Sequence, residues 1–333
     1  MQAVMFISLI LDLLGFTVIL PLFPALLDYY SKNDSSGLYS SLLSWVNTFQ
    51  HFIGMPSRFH SVLFGGLLGS LFSLLQFLAS PITGALSDVY GRKPVFICTL
   101  IGVAASYGVW AVSANFTMFV LARIIGGATK GNVSLAYSVM TDISDEKSRA
   151  KGMALIGVAF SIGFTIGPAV GAMFSRWGST GWFAASALYA LTLAFCNIIY
   201  FYIFFKETLP ETKRRASVAS GLSQAWELIN PRSLFSFSPV KGLEKEGREY
   251  SSCPKNHDCM ALKQGGYVRA CQKRHEKARQ TRNPLGIWRS LGALARAIGP
   301  IVTSIGFWSM GAEMCYIIGG LSMLAPLIML QSC

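Results

Sequence analysis

Charge is scarce in this sequence: only 13% of its 333 residues are Asp, Glu, Lys or Arg, where an ordinary soluble domain carries roughly 25%. With 52% hydrophobic residues, that shortage excludes a pair of average soluble domains, although the length alone would accommodate them. Acidic residues are scarcest, 16 against 28 basic ones. The resulting charge of +12 does not indicate nucleic acid, because the basic residues are scattered over short loops and form no single stripe or arm. No Gly-rich segment ends in Gly-Lys-Ser/Thr, so there is no motif for ATP. Paired short Cys separations are also missing. Cys98, Cys196 and Cys315 fall inside apolar runs as small packing residues, Cys333 is terminal, and Cys253, Cys259 and Cys271 with His257 and His275 do not match zinc spacing. No metal, no other cofactor and no enzymatic activity are expected.

What the sequence does have is long apolar runs. Eight lie near residues 5–27, 61–86, 94–113, 116–139, 152–174, 182–205, 291–309 and 315–330, most of about twenty residues, enough to cross about 30 Å of hydrocarbon as a helix. They lack the alternation that barrel strands need. The expected fold is therefore all-α, a polytopic membrane protein of about eight spans. It divides into a six-helix bundle over residues 1–205, a basic linker over 206–284 and a two-helix fragment over 285–333. The first run is too long for a signal peptide core and leads directly into Pro21 and Pro24, so it is expected to remain in the protein. Arg92, Lys93, Lys147, Arg149, Lys151, Lys206, Lys213, Arg214 and Arg215 fall in alternate loops, against Lys32, Arg58 and Arg176 on the other side. This predicts a cytoplasmic N-terminus in the plasma membrane or an internal membrane. On the opposite side, Asn33-Asp34-Ser35 is a glycosylation candidate at Asn33. Asn115-Phe116-Thr117 lies close to the bilayer, and Asn132-Val133-Ser134 is inside a span.

Few residues in the bundle carry chemistry. The loop after the second span reads Gly84-Ala85-Leu86-Ser87-Asp88-Val89-Tyr90-Gly91-Arg92-Lys93-Pro94. A carboxylate at one helix end, a glycine for a tight turn and paired cations opening the next helix can form a charge relay, whereas a merely solvated basic loop would not require this order. Asp12 lies midway along the first span, where a carboxylate must be protonated, paired or wet. It serves either in coupling or only as a helix-to-helix hydrogen bond. Arg123, in the fourth span, cannot shed its proton, so it needs a partner, water, or a reach to the outer interface. Lys130 follows seven residues later, on roughly the same helical face, and the two make a cationic stripe that favours anions. In the fifth span Gly163, Gly167 and Gly171 recur every fourth residue, which lets another helix approach, and Pro168 frees a backbone carbonyl.

These residues resemble a known family. The Gly84–Pro94 loop is similar to the loop of the major facilitator superfamily that controls exchange between inward-open and outward-open states. Leu11-Asp12-Leu13-Leu14-Gly15 with Pro21-Leu22-Phe23-Pro24 is similar to the first helix of its tetracycline/proton antiporters. Arg123-Ile124-Ile125-Gly126-Gly127, Lys130-Gly131 and Thr141-Asp142 resemble the fourth helix. Gly163 to Ala172 looks like the antiporter helix motif, and Glu207-Thr208 with Pro210-Glu211 also matches. The resemblance runs continuously over residues 5–215 and is strongest to the animal tetracycline-transporter-like branch, regarded as organic anion or drug efflux carriers. It implies proton coupling at Asp12, a substrate path along Arg123 and Lys130, gating by Gly84, Asp88, Gly91, Arg92 and Lys93, and antiport function for Gly163, Gly167, Pro168 and Gly171. Lys130 is alternatively the proton-linked partner of Asp12. Partners are then an organic anion or amphiphilic drug, protons and the lipid bilayer, with no nucleic acid.

The pattern breaks after the sixth span. A full facilitator has two six-helix bundles with substrate between them, but residues 291–300 already echo Gly167-Pro168 and resemble the eleventh helix, so helices seven to ten are expected to be absent. Residues 242–284 stand in their place, basic and without apolar periodicity. A mis-spliced or frame-shifted exon accounts for them better than an inserted linker. Losing an even number of helices preserves topology. Two functions follow: a proton-coupled efflux carrier, or a truncated, non-transporting isoform that binds or regulates a complete one.

Overall fold

A computed structural model describes residues 1–53, 60–145, 148–176, 182–214 and 284–322. Apart from one 3₁₀ turn at Glu211–Lys213, the regular structure of these residues is α-helical. In chain order the helices are α1 (Gln2–Thr17), α2 (Ile19–Asn33), α3 (Leu38–Ile53), α4 (His60–Tyr90), α5 (Arg92–Ala111), α6 (Phe116–Thr129), α7 (Asn132–Ile143), α8 (Arg149–Arg176), α9 (Trp182–Phe204) and α10 (Pro284–Ser322). Among the described residues, five stretches are long and apolar enough to cross a membrane: Gln2–Asn33, Leu63–Tyr90, Arg92–Ala111, Arg149–Ser175 and Phe183–Phe204. They coincide with the first, second, third, fifth and sixth apolar runs.

The fourth run departs from expectation. It is two helices of 14 and 12 residues, α6 and α7, interrupted at Lys130 and Gly131. Residues 84–90, read as loop, continue α4 to Tyr90, so that the whole turn is made at Gly91, whose φ of 103° favours glycine. The connection after the first span contains a further helix, α3, which has no run of spanning length. The two last runs meet in α10, broken at Gly311 with φ 81°. Residues 323–330 of the eighth run and the linker beyond Arg214 lie outside the described residues.

The bundle packs α1 against α8 and α9, α5 against α6 and α9, and α4 against α6 and α10. Its buried apolar side chains form two clusters. One, around Tyr30, Phe64, Trp110, Phe116 and Phe119, fills the end near Asn33. The other, around Met5, Leu9, Phe96, Met140, Phe201 and Phe205, fills the end near Gly91. Asp12, Arg123 and Lys130, all buried, belong to neither, and α1 and the α6–α7 break carry them through the polar level between the two clusters.

Candidate functional site

The interruption of the fourth span has one cause in local sequence and one in packing. Glycine lowers helix stability, and a Cβ at Gly131 would collide with the Thr83 side chain of α4. The break frees backbone groups that must find partners at this depth. Gln76 of α4 supplies one, its Nε2 donating to the Lys130 carbonyl at 3.3 Å. Lys130 itself swings to α1, its Nζ donating to both Asp12 oxygens at 2.8 Å. Both side chains are 3% exposed, and the ammonium stands 5.0 Å above the Phe16 ring. A sealed one-to-one pair of this kind is costly to desolvate and costlier to break on one side.

Arg123 is different. It is 5% exposed and does not reach the outer interface. Its guanidinium lies 5.3 Å from the Trp110 ring centre and 5.5 Å from that of Phe119, stacking that suits a planar cation. Nε and Nη2 have no hydrogen-bond partner. Arg123 and Lys130 line one small cavity with Phe16, Phe72, Ser106 and Tyr107. The two cations of the expected stripe thus share a cavity but not an environment: Lys130 is neutralised by Asp12, and Nε and Nη2 of Arg123 are without partners among the described residues. Gln76, Ser106, Tyr107, Trp110 and Phe119 were not singled out in the sequence. Gln76, a lone amide in an apolar run, carried the clearest signal.

A second charged group sits at the Gly91 end. Arg92 of α5 binds Asp88 at 2.7 Å through Nη1 and Asp142 of α7 at 2.9 Å through Nε, and also donates to Ser87. Glu207, just beyond α9, accepts the backbone amides of Arg92 and Lys93 at 3.0 Å each and so caps α5. A Cβ at Gly91 would meet Glu207 Oε2 at 2.7 Å, which is a spatial need for glycine beside the conformational one. Burial holds the Asp142 carboxyl above its ordinary range against the opposing pull of Arg92. Burial pushes Glu207 up too, but the amides of Leu209, Lys93, Arg92 and Thr208 outweigh it and hold the carboxyl below its ordinary value. Lys93 extends to the Tyr202 carbonyl at 2.9 Å. Gly84 stands apart, inside α4 with open space where a Cβ would be.

The glycines of α8 are close-approach positions against α1 and α2. A Cβ at Gly163 would lie 2.6 Å from Leu13 Cβ, one at Gly167 would overlap Thr17, and one at Gly171 would overlap the Val18 carbonyl. The Thr17 hydroxyl lies within hydrogen-bond distance of both the Leu13 and Gly163 carbonyls, at 2.8 and 2.9 Å. Pro168 is inside α8, which continues to Arg176. Asn33 ends α2 with an exposed side chain whose Nδ2 donates to the Tyr29 carbonyl at 3.0 Å. Cys253, Cys259, Cys271, His257 and His275 lie outside the described residues, and among the described ones no group of His, Cys, Asp and Glu could hold a metal.

A family model described as Major Facilitator Superfamily matches residues 5–247. Major facilitator superfamily domain-containing protein 10 of Bos taurus is 35% identical over 427 aligned positions, covering 99% of this chain and 92% of that one. The human protein of that name is 35% identical over 425 positions, covering 98% and 92%. Tetracycline resistance protein, class H, of Pasteurella multocida is 29% identical over 227 positions, covering 68% and 48%. The crystal structure of the human organic anion transporter MFSD10 (TETRAN) superposes with a TM-score of 0.72 at 33% identity, covering 95% of each chain. Since the alignment to the bovine protein has 427 positions and this chain 333 residues, at least 94 positions, the difference of the two, face gaps here.

Proposed function

This chain belongs to the major facilitator superfamily of membrane transporters, and on that premise we propose that it is a secondary carrier built to exchange organic anions or amphiphilic drugs for protons. The observation that carries this reading is the contrast between two cations that line one cavity: Lys130, sealed to Asp12 behind it, and Arg123, whose Nε and Nη2 are without hydrogen-bond partners among the described residues. An anionic group entering the cavity would meet the Arg123 donors beside Ser106 and Tyr107, while a proton delivered to Asp12 would loosen Lys130. Substrate release and proton uptake are then linked through neighbouring charges. The cavity has room for about one water, far less than a drug-sized ligand needs, so loading requires the helices to move apart. Arg92 with Asp88 and Asp142, together with Glu207 bound to the first amides of α5, would hold the Gly91 end closed and release it when α4 and α7 separate. That end would be cytoplasmic by its excess of Lys and Arg. The relatives support the substrate class through the human organic anion transporter and the tetracycline resistance proteins.

The gap positions favour a second reading. At least 94 residues would make four spans at about 20 residues each, and without them the cavity lacks the facing half-bundle that a facilitator uses. The chain would then be a non-transporting isoform that binds or regulates a complete carrier. Purified chain in proteoliposomes separates the two. Uptake of a fluorescent organic anion driven by a pH gradient and lost in Asp12→Asn establishes the carrier; no uptake, together with co-purification of a complete carrier that alters its rate, establishes the regulator. Sequencing of transcripts across the codons for residues 242–284 would show whether four spans have been skipped.

A further inference from the structure

Helix α3 has more apolar surface than the protein covers. Placed on a wheel of about 100° per residue, its side chains divide into a half-circle of Phe52, Trp45, Leu38, Phe49, Leu42, Val46 and Tyr39 and an opposite arc of Ser41, Thr48, Ser44, His51 and Ser40. The apolar half is itself split. Val46 is 4% exposed, and Leu38, Tyr39 and Leu42 pack on the apolar cluster beneath. Trp45, Phe49 and Phe52, on the adjoining edge, are 77%, 43% and 89% exposed. No Asp, Glu, Lys or Arg occurs in Leu38–Ile53.

The position of this edge identifies what covers it. Residues 34–37 are the whole connection from α2 to α3, a reach of at most about 14 Å. The Tyr39 ring lies 5.0 Å from that of Phe64, in the first turns of α4, and 5.2 Å from that of Phe116, the first residue of α6. Asp34 fixes the same level, its carboxylate accepting the amides of Ser36, Tyr39 and Phe116 at 3.1 to 3.2 Å. The helix is therefore held at the height where α2 ends and α4 and α6 begin, the end of the bundle opposite Gly91, and its bare aromatic edge lies at that level.

We propose that α3 is an interfacial helix, with Trp45, Phe49 and Phe52 seated in the boundary between phospholipid headgroups and acyl chains and the serine arc turned to water. Aromatic side chains, tryptophan above all, partition to that boundary, and a helix with an apolar half and an uncharged polar half lies in the plane of the interface. Because Asp34 ties α3 to α2 and α6, lipid would thereby set the height of the end of the bundle opposite Gly91.

The test uses the complete chain in phosphatidylcholine vesicles, with single substitutions Ser44→Cys, Thr48→Cys, Trp45→Cys and Phe52→Cys. Reaction with a water-soluble maleimide is followed peptide by peptide in the mass spectrometer, so that native cysteines do not interfere. Trp45→Cys and Phe52→Cys should react at least tenfold more slowly than Ser44→Cys and Thr48→Cys, since a thiol in the interface is less ionised and less accessible. Two positions are used on each arc so that one misfolded variant leaves the comparison intact. Equal rates on the two arcs would overturn the proposal. Slow reaction at residues 45 and 52 that becomes fast at one chain per vesicle would overturn it too, because a second copy would then be the cover.

Discussion

The charged centre at the Gly91 end and the one at the middle of the bundle are built from the same ingredients and behave oppositely. Arg92 divides its guanidinium between two carboxylates that are 28% and 22% exposed. Water can replace either as it leaves, so that cluster opens at small cost. Asp12 and Lys130 are 3% exposed and have one another. Separating them would strand a charge in the membrane, which makes parting costly. Arg123 completes the series as a buried cation with no carboxylate, stabilised by rings and left with free donors. Exposure of the partner, more than the identity of the charge, is what separates the three arrangements.

The comparison is broken most severely at Lys130. Lys130→Met leaves the Asp12 charge alone and should cost about 3–5 kcal/mol of stability, seen as a lowered midpoint of thermal unfolding in detergent; adding Asp12→Asn should restore most of it. If the single variant were as stable as the parent, the pair would not be sealed. Next, Gly167→Val forces a side chain into Thr17 and should cost about 3 kcal/mol, with loss of monodispersity in size-exclusion chromatography, whereas Gly84→Ala in open space should be neutral or slightly stabilising. Arg123→Met should weaken binding of an organic anion by about thirtyfold, some 2 kcal/mol for hydrogen bonds to a charged group, while leaving stability unchanged or raised because no ion pair is lost. Equilibrium binding to the complete chain measures the first effect and unfolding the second.

The smallest effect concerns Glu207. Its carboxyl is depressed in the folded protein, so its contribution is full above the ordinary value of 4.5 and fades as pH falls through the lower folded value. Glu207→Gln should therefore flatten the loss of stability on acidification below about pH 4.5, by about 1 kcal/mol as for other helix caps. Unfolding of parent and variant followed between pH 6 and 3 checks this; parallel curves would show that Glu207 does not clasp α5.

How much of this was legible in the sequence differs by physical cause. Apolar run length located five spanning stretches and the glycine spacing located the α1–α8 approach, because each depends on a period that a one-dimensional pattern preserves. The order Asp88-Gly91-Arg92 indicated a charge cluster but not its second and third carboxylates, since Asp142 and Glu207 reach Arg92 and α5 from elsewhere in the chain. The break at Lys130 was hidden in a run of spanning length; it depends on the crowding of Gly131 by Thr83, a contact between helices. Cys98 and Cys196, expected as packing residues, have exposed side chains, because hydropathy does not distinguish the face a helix turns to lipid from the one it turns to its neighbours. The helix at Leu38–Ile53 was missed for a similar reason, being too short and too rich in serine to register as a span.

One feature of the broken fourth span reaches beyond packing. A helix that stops at Thr129 and a helix that starts at Asn132 place two opposite macrodipole ends beside one another at mid-membrane, each worth about half an elementary charge. The negative end belongs to α6, and the residue that caps it is Lys130 itself. These partial charges are set by the backbone and do not titrate. If Asp12 serves in proton coupling as proposed, the backbone charges at the break would stay as they are while the side-chain charge beside them changes. An unbroken α-helix in the same position would bring no pair of helix ends to this depth.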